Sequence, residues 1–274
     1  MAEAKLALIA GNGIFPVLVA RGARAAGIDV AVVAHREETD PAIEQEVDGV
    51  TWVKVGELGR MIRTFRKAGC DHAVMAGGIG KVRALSAVRP DVRGASMLLR
   101  VRSLKDDRLL SGIADEFEKE GMPVISSTRY LPDLVPVPGP LTRKAPSATE
   151  REDIEFGRRV LRATGAFEIG QAVVVREGLV FAVEAVEGTD AAIRRGGELA
   201  RGGAVVVKAA KPGQDLRFDV PAVGTGTIEL MAEVEARVLA VEAGRTIVLE
   251  REAVVAAAEK AGIRVFAFDP EEAP

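Results

Sequence analysis

The first half of the chain alternates short apolar runs with amphipathic stretches. Residues 5–10 (KLALIA) form an apolar run that stops at Gly11-Asn12-Gly13, and an apolar-periodic stretch follows over 15–26. That order predicts a strand, a glycine turn and a helix. Further strands are predicted at 30–34 and 51–55, a helix over 58–68, and a strand over 71–76 that enters Gly77-Gly78. A helix over 107–120 and a strand over 122–126 continue the alternation. Strands and helices in strict succession imply a parallel sheet with helices on both faces.

The pattern breaks between residues 131 and 146, where Pro132, Pro136, Pro138, Pro140 and Pro146 together with Gly139 exclude a continuous helix or a central strand. Beyond it, Ser147 with Glu150 three residues on predicts a capping box that opens a helix over 149–163, expected to bridge two halves. Gly170-Gln171 leads into a hairpin of 172–175 and 179–185 about a Glu177-Gly178 turn. A helix over 189–199, a β-branched strand over 204–207, and helices near 227–240 and 251–261 complete the chain. The expected fold class is α/β: a Rossmann-like parallel-sheet domain (1–131), a Pro-rich linker with its helix (132–165), and a mixed α/β domain (166–274), with a ligand cleft between the two domains. No repeat of fixed period is present.

Composition narrows the chemistry. Hydrophobic residues at 48% and charged residues at 28% describe an ordinary globular chain, and 37 Lys plus Arg against 40 Asp plus Glu supply no basic field for nucleic acid. Cys70 is the one cysteine and His35 and His72 are the two histidines, which excludes an intramolecular disulfide, a Cys-based zinc site and a His-rich dinuclear centre. Any metal would therefore sit mainly on oxygen. The amino end lacks a basic stretch followed by a long apolar core, and no run of about 18 uncharged apolar residues occurs, so a cytoplasmic protein is expected, with peripheral membrane contact left open.

Two regions carry candidate chemistry. Gly11-Asn12-Gly13 and Gly77-Gly78, the latter continuing to Gly80-Lys81, end two predicted strands, where backbone N–H groups and a following helix N-terminus favour a phosphate. Pro16 stands where a dinucleotide fingerprint needs its third glycine, and the P-loop lysine is missing, so a nicotinamide cofactor is disfavoured. A ligand contact and a tight turn that lets a helix pack on the sheet account for these glycines equally. The second region interleaves Glu184, Glu187, Thr189 and Asp190 with Lys208, Lys211, Gln214, Asp215, Arg217 and Asp219. Carboxylates suit a hard cation, and Lys or Arg suit phosphate oxygens, as hydrolysis of a phosphoanhydride requires. A solvated loop is the commoner source of such a charge run. Lys105-Asp106-Asp107 reads still more readily as an acidic helix start, and the two histidines read as packing or surface residues.

The residues Gly170-Gln171-Ala172-Val173-Val174-Val175, Glu187-Gly188-Thr189-Asp190, Lys211-Pro212, Gln214 and Arg217-Phe218-Asp219-Val220-Pro221 resemble the LpxI-type UDP-2,3-diacylglucosamine pyrophosphatases. The likeness extends to Gly11-Asn12-Gly13 with Phe15-Pro16, to residues 105–107 and 115–121, and to Val241-Glu242-Ala243-Gly244, and so covers nearly the whole chain. The resemblance implies a cytoplasmic, magnesium-dependent step of lipid A biosynthesis. Water would attack the phosphate next to the sugar of UDP-2,3-diacylglucosamine, giving UMP and 2,3-diacylglucosamine 1-phosphate (lipid X). It also implies a homodimer, and it places the critical carboxylate on Asp219. The resulting expectations are catalytic roles for Asp219, Lys208 and Arg217. Substrate binding is expected of Gly11, Asn12, Gly13, Gly77, Gly78, Gln171, Thr189, Lys211 and Gln214. Magnesium is expected on Asp219, Asp190, Glu187 and Glu184. Asn12 stands where a glycine is frequent in the family, and the 129–140 segment departs from its usual linker.

A diacylated substrate also needs apolar surface. Met97-Leu98-Leu99 with Val101 and Leu104 could supply it, but helical core packing explains that stretch at least as well, and the acyl site stays unassigned. Two other readings compete: a non-catalytic binder of a nucleotide-sugar or glycolipid, and a Rossmann-type oxidoreductase or transferase, which Pro16 disfavours.

Overall fold

The computed structural model describes residues 5–79, 89–101, 106–217 and 219–271, the side chains of 106 and 107 excepted. The expectations on Gly80, Lys81, Leu104, Lys105 and Phe218 lie outside the described residues, as do those on the side chains of Asp106 and Asp107. The chain divides into two compact units, Met1–Pro132 with Asp215–Asp219, and Asp133–Gln214 with Val220–Pro274.

The first unit is a parallel sheet of β1 (Lys5–Ala10), β2 (Asp29–His35), β3 (Val50–Val53) and β4 (His72–Ala76) in the order β3-β2-β1-β4. A parallel bridge from Ala73 to Val124 adds the predicted 122–126 segment beyond β4. Alternation along the strands sorts the core into two layers, because successive side chains in a strand point to opposite faces. Leu6, Leu8, Val32 and Val74 pack under α1 (Phe15–Ala25), through Val17, Val19, Ala20 and Ala23. Ala7, Ile9, Val33, Ala73 and Met75 face α2 (Leu58–Ala68), α3 (Val92–Val101) and α4 (Asp106–Glu118). In α2, Leu58, Met61, Ile62 and Phe65 recur at helical spacing on the buried face, and Gly69 ends the helix at φ 76°, a conformation glycine adopts without strain. Met97 is buried in this core, so that part of the 97–104 stretch is packing.

Helices α3 and α4 are tied by charge. The buried Glu116 carboxylate accepts from Arg93 Nε at 2.6 Å and Lys119 Nζ at 2.7 Å and also pairs with Arg100. Burial pushes that carboxyl up, but the hydrogen bonds from Lys119, Arg100 and Arg93 outweigh it and hold it at about 2.

The second unit is a six-stranded mixed sheet of order β5-β12-β10-β8-β6-β7. Its strands are β5 (Gly139–Pro140), β6 (Ala172–Arg176), β7 (Leu179–Val183), β8 (Val205–Lys208), β10 (Val238–Glu242) and β12 (Arg264–Phe268), and β8, β10 and β12 run parallel. A separate pair, β9 (Ala222–Val223) with β11 (Ile247–Val248), lies outside it. Val173, Val175, Val205, Val207, Val238 and Ala240 face α5 (Ala148–Gly165). Their neighbours Val174, Val206, Leu239 and Val241 face α6 (Thr189–Ala200), α7 (Thr225–Glu233) and α8 (Arg251–Ala261).

The capping box opens α5 as its residues predict: Glu150 N–H donates to Ser147 Oγ at 3.3 Å, and Ser147 N–H to Glu150 Oε2 at 2.7 Å. This helix belongs to the second unit and packs on β6 and β8. The expected helix over 227–240 is shorter: α7 stops at Glu233, and Val238–Glu242 is a strand. All five residues of β10 are buried between β8 and β12, and a strand apolar on both faces has no alternation to separate it from a buried helix.

Candidate active site

In the first unit the two glycine turns are one structure. β1 and β4 are neighbours, so the turns at their carboxyl ends lie side by side: Gly11 N–H donates to Ala76 O at 2.8 Å, Asn12 N–H to Gly78 O at 2.8 Å, and Gly78 N–H to Asn12 Oδ1 at 3.1 Å. A Cβ on Gly11 would stand 2.4 Å from Gly78 O, and one on Gly77 2.3 Å from Asn12 O, so both positions exclude any side chain. Gly13 differs, with φ 78° and open space around it. The chain crosses from one side of β1 to the other here, with β2 and β3 on one flank and β4 on the other, which is where open α/β sheets bind ligands. Behind the turn, Ala10 O accepts from Thr39 Oγ1 at 2.7 Å and from His35 Nδ1 at 3.0 Å. Burial lowers the His35 pKa, which keeps the ring neutral with its Nδ1–H donating. The histidine set aside in the sequence thus braces the glycine turn.

The segment 215–219 belongs to this first unit. Arg217 O accepts from Ser127 N–H at 3.1 Å, beside the end of the 122–126 strand. The Arg217 guanidinium is engaged in a fork with Asp215, Nε to Oδ1 at 3.0 Å and Nη2 to Oδ2 at 2.7 Å, and Glu118 lies 4.0 Å from Nη1. The hydrogen bond from Arg217 holds the Asp215 carboxyl below its usual range, and the same bond raises the guanidinium. Asp219 N–H closes the turn on Asp215 O at 3.1 Å. Asp215 was part of the charge run without a role; it shapes the loop that carries both Arg217 and Asp219.

The second unit gathers a side-chain cluster at one end of its sheet. Because β6 is antiparallel to β8, and β7 to β6, the start of β6, the end of β7 and the end of β8 share that end. Lys208, 8% exposed, closes β8 and donates from Nζ to Ala222 O at 2.9 Å and to Thr189 Oγ1 at 3.3 Å. Thr189 is the first residue of α6, whose N-cap Gly188 provides no side-chain cap. A buried ammonium thus stands at a helix end whose dipole is also positive, an arrangement that an anion stabilises. Gln171 Nε2 donates to Gln214 Oε1 at 3.2 Å, which also accepts from Lys211 N–H at 2.8 Å. On the adjacent β10, buried Glu242 follows the residue paired with Lys208 and accepts Ala210 N–H at 2.9 Å, fixing the loop that leads to Lys211. Glu242 lay within the 241–244 motif, the one signal that pointed to it.

The expected magnesium set does not come together. Glu184 accepts Gln171 N–H at 3.1 Å, Glu187 pairs with Arg195 at 2.7 Å, and Asp190 is exposed in the first turn of α6. Among the described residues, no three His, Cys, Asp or Glu side chains converge to hold a metal ion. Glu184 and Glu187, near one another in sequence, are drawn to different donors.

Comparison with known proteins fits both units. Residues 5–134 match the LpxI N-terminal domain and residues 137–266 the LpxI C-terminal domain. The chain is 40% identical over 281 residues to the UDP-2,3-diacylglucosamine pyrophosphatase LpxI of Caulobacter vibrioides (strain ATCC 19089 / CIP 103742 / CB 15), covering 98% of this chain and 99% of that protein. With both domain models matched in order and the identity running nearly end to end, the chain belongs to the LpxI family.

Proposed function

We propose that this protein hydrolyses the pyrophosphate of UDP-2,3-diacylglucosamine in lipid A biosynthesis. The observation that carries the reading is the Lys208 ammonium, buried and held by Thr189 and Ala222 at the uncapped start of α6. Two fixed positive ends meet there, and fixed charge facing phosphate oxygens is the largest single contribution available to such a reaction.

Water adds to the phosphorus next to the sugar, the bond from that phosphorus to the bridging oxygen breaks, and UMP leaves with the bridging oxygen. The products are UMP and 2,3-diacylglucosamine 1-phosphate. Lys208 and the α6 N–H groups take up charge on the phosphoryl oxygens, and Gln171, Lys211 and Gln214 orient the group. Arg217, gripped by Asp215, is a positioned cation with its planar face already set. The glycine turns of the first unit stand at the carboxyl ends of β1 and β4, the edge at which open α/β sheets bind ligands. Asp219 is the carboxylate on which activity is expected to depend.

Magnesium remains part of the proposal as an ion that enters with the substrate, since Mg²⁺ keeps several waters and is usually held by one or two carboxylates plus phosphate oxygens. A homodimer in the cytoplasm, reaching its lipid substrate at the inner membrane surface, completes the reading. No helix among the described residues is long and apolar enough to cross a membrane.

The test is hydrolysis of UDP-2,3-diacylglucosamine by the unaltered protein and by Asp219→Ala, with and without magnesium, in ¹⁸O-water. UMP release that needs the metal and is lost in the variant is the expected result, with label in the lipid phosphate. Tight binding of intact substrate without turnover would make the protein a binder.

A further inference from the structure

Next to the polar cluster, the second unit displays apolar side chains in water. α5 ends at Gly165, and a turn over 166–170 follows, in which Phe167 N–H returns to Thr164 O at 2.9 Å and Glu168 N–H to Gly165 O at 2.9 Å. Glu168 sits at φ 62°, a left-handed conformation that costs a non-glycine residue and persists only where its surroundings enforce it. The turn is held on both sides by the loops of the cluster. A Cβ on Gly165 would lie 2.7 Å from Pro212 Cδ, and one on Gly170 2.1 Å from Glu184 O. The turn is therefore fixed against Lys211-Pro212 on one flank and Glu184 on the other. Yet it carries Phe167 79% exposed and Ile169 42% exposed, and Val186, two residues past Glu184, is fully exposed.

We propose that Phe167, Ile169 and Val186 form a rim on which one fatty acyl chain of the substrate lies. The inference rests on the proposed reaction and goes beyond it, because it assigns the hydrocarbon to residues outside the phosphate-binding cluster. Continuity with that cluster selects the occupant. A ligand whose phosphate meets Lys208, Gln171 and Gln214 and whose hydrocarbon is joined to the neighbouring sugar passes over the turn that links their loops. Three side chains expose at most a few hundred Å², far below the roughly 1,200 Å² that a stable protein interface buries, so a second protein is the poorer fit. The rim also accounts for a strained turn that presents a large aromatic ring to water, an arrangement that gains nothing in folding.

The test compares two substrates with one headgroup, long-chain UDP-2,3-diacylglucosamine in mixed micelles and its diacetyl counterpart, across Phe167→Ser, Ile169→Ser, Val186→Ser and the triple variant. Leu199→Ser, an exposed apolar position on α6, is the control. The triple variant is expected to raise KM for the long-chain substrate roughly tenfold, with kcat and the diacetyl KM within about twofold, and Leu199→Ser to change neither. Unchanged long-chain KM overturns the rim, as does an equal rise for both substrates, which would mark structural damage. A rise seen only when substrate is presented in anionic phospholipid vesicles, and absent in micelles, overturns it in favour of a membrane contact. If the unaltered protein hydrolyses neither substrate, the proposed reaction fails instead. Calorimetric binding of 2,3-diacylglucosamine 1-phosphate to the unaltered and triple-variant proteins then decides the rim independently, with equal affinity sinking it.

Discussion

The two units each place a candidate site at the end of a sheet, and they do so with opposite materials. In the first, β1 and β4 end in turns so close that only glycine fits at Gly11 and Gly77, and main-chain N–H and C=O groups with the Asn12 side chain join the turns to each other. In the second, β6, β7 and β8 bring side chains to a common end, with Lys208 bonded to Thr189 and Gln171 to Gln214. A backbone site is specified by which residues are absent, whereas a side-chain site is specified by which are present. The first admits no added atom at Gly11 or Gly77, and the second is expected to admit no lost charge.

The largest effect should come from removing the charge. Lys208→Ala is expected to lower kcat/KM by about 10²-fold or more while the fold survives, measured by UMP release alongside circular dichroism. If activity fell no further than stability, the second site would be structural and the comparison would break. In the first unit, Gly11→Ala drives a methyl into Gly78 O and should destabilise by about 2 kcal/mol, whereas Gly13→Ala, in open space at φ 78°, should cost about 1 kcal/mol. Urea unfolding of both variants measures the difference, and equal values would mean that the close approach of the turns is not what fixes Gly11.

Acid should separate the units as well. Glu116 belongs to the first unit, and its folded pKa of about 2 lies below the ordinary 4.5, so its contribution is complete above the ordinary value and is lost as pH falls from about 5 toward 2. The Asp215 carboxyl, held down by Arg217, acts in the same direction. Thermal melts across this window should show a loss of about 2 kcal/mol that Glu116→Gln abolishes. An unchanged slope in Glu116→Gln would remove the Arg93, Arg100 and Lys119 network from the account. The smallest effect is expected at Gln214→Ala, which frees Gln171 and the Lys211 N–H, with KM rising by about threefold to tenfold and kcat little changed. A loss confined to kcat would move Gln214 from binding to the chemical step.

Much of this was legible in the residues because the signals were local. The parallel first sheet follows from apolar runs alternating with helical periodicity, and the Ser147/Glu150 box opens α5 at the residue predicted. What failed was non-local. Val238–Glu242 reads as the tail of a helix until β8 and β12 are seen to enclose it. Glu184, Glu187 and Asp190 stand together in a linear text, and the fold gives Glu184 the Gln171 N–H and Glu187 the Arg195 guanidinium while Asp190 is exposed. His35, read as a packing or surface residue, is buried, and the carbonyl it braces belongs to Ala10 on the neighbouring strand.

The sequence by itself determined the α/β class, the change of character at the proline-rich stretch and the residue types available for chemistry, because propensity, periodicity and composition act over a few residues at a time. Only the tertiary structure decided that the two glycine turns are one, that Arg217 O takes the Ser127 N–H, that Lys208 meets the start of α6, and that Phe167 stands beside the loop of Lys211 and Pro212. Those are contacts between segments far apart in the chain, set by strand order and helix packing, and no local pattern encodes which partner a side chain finds.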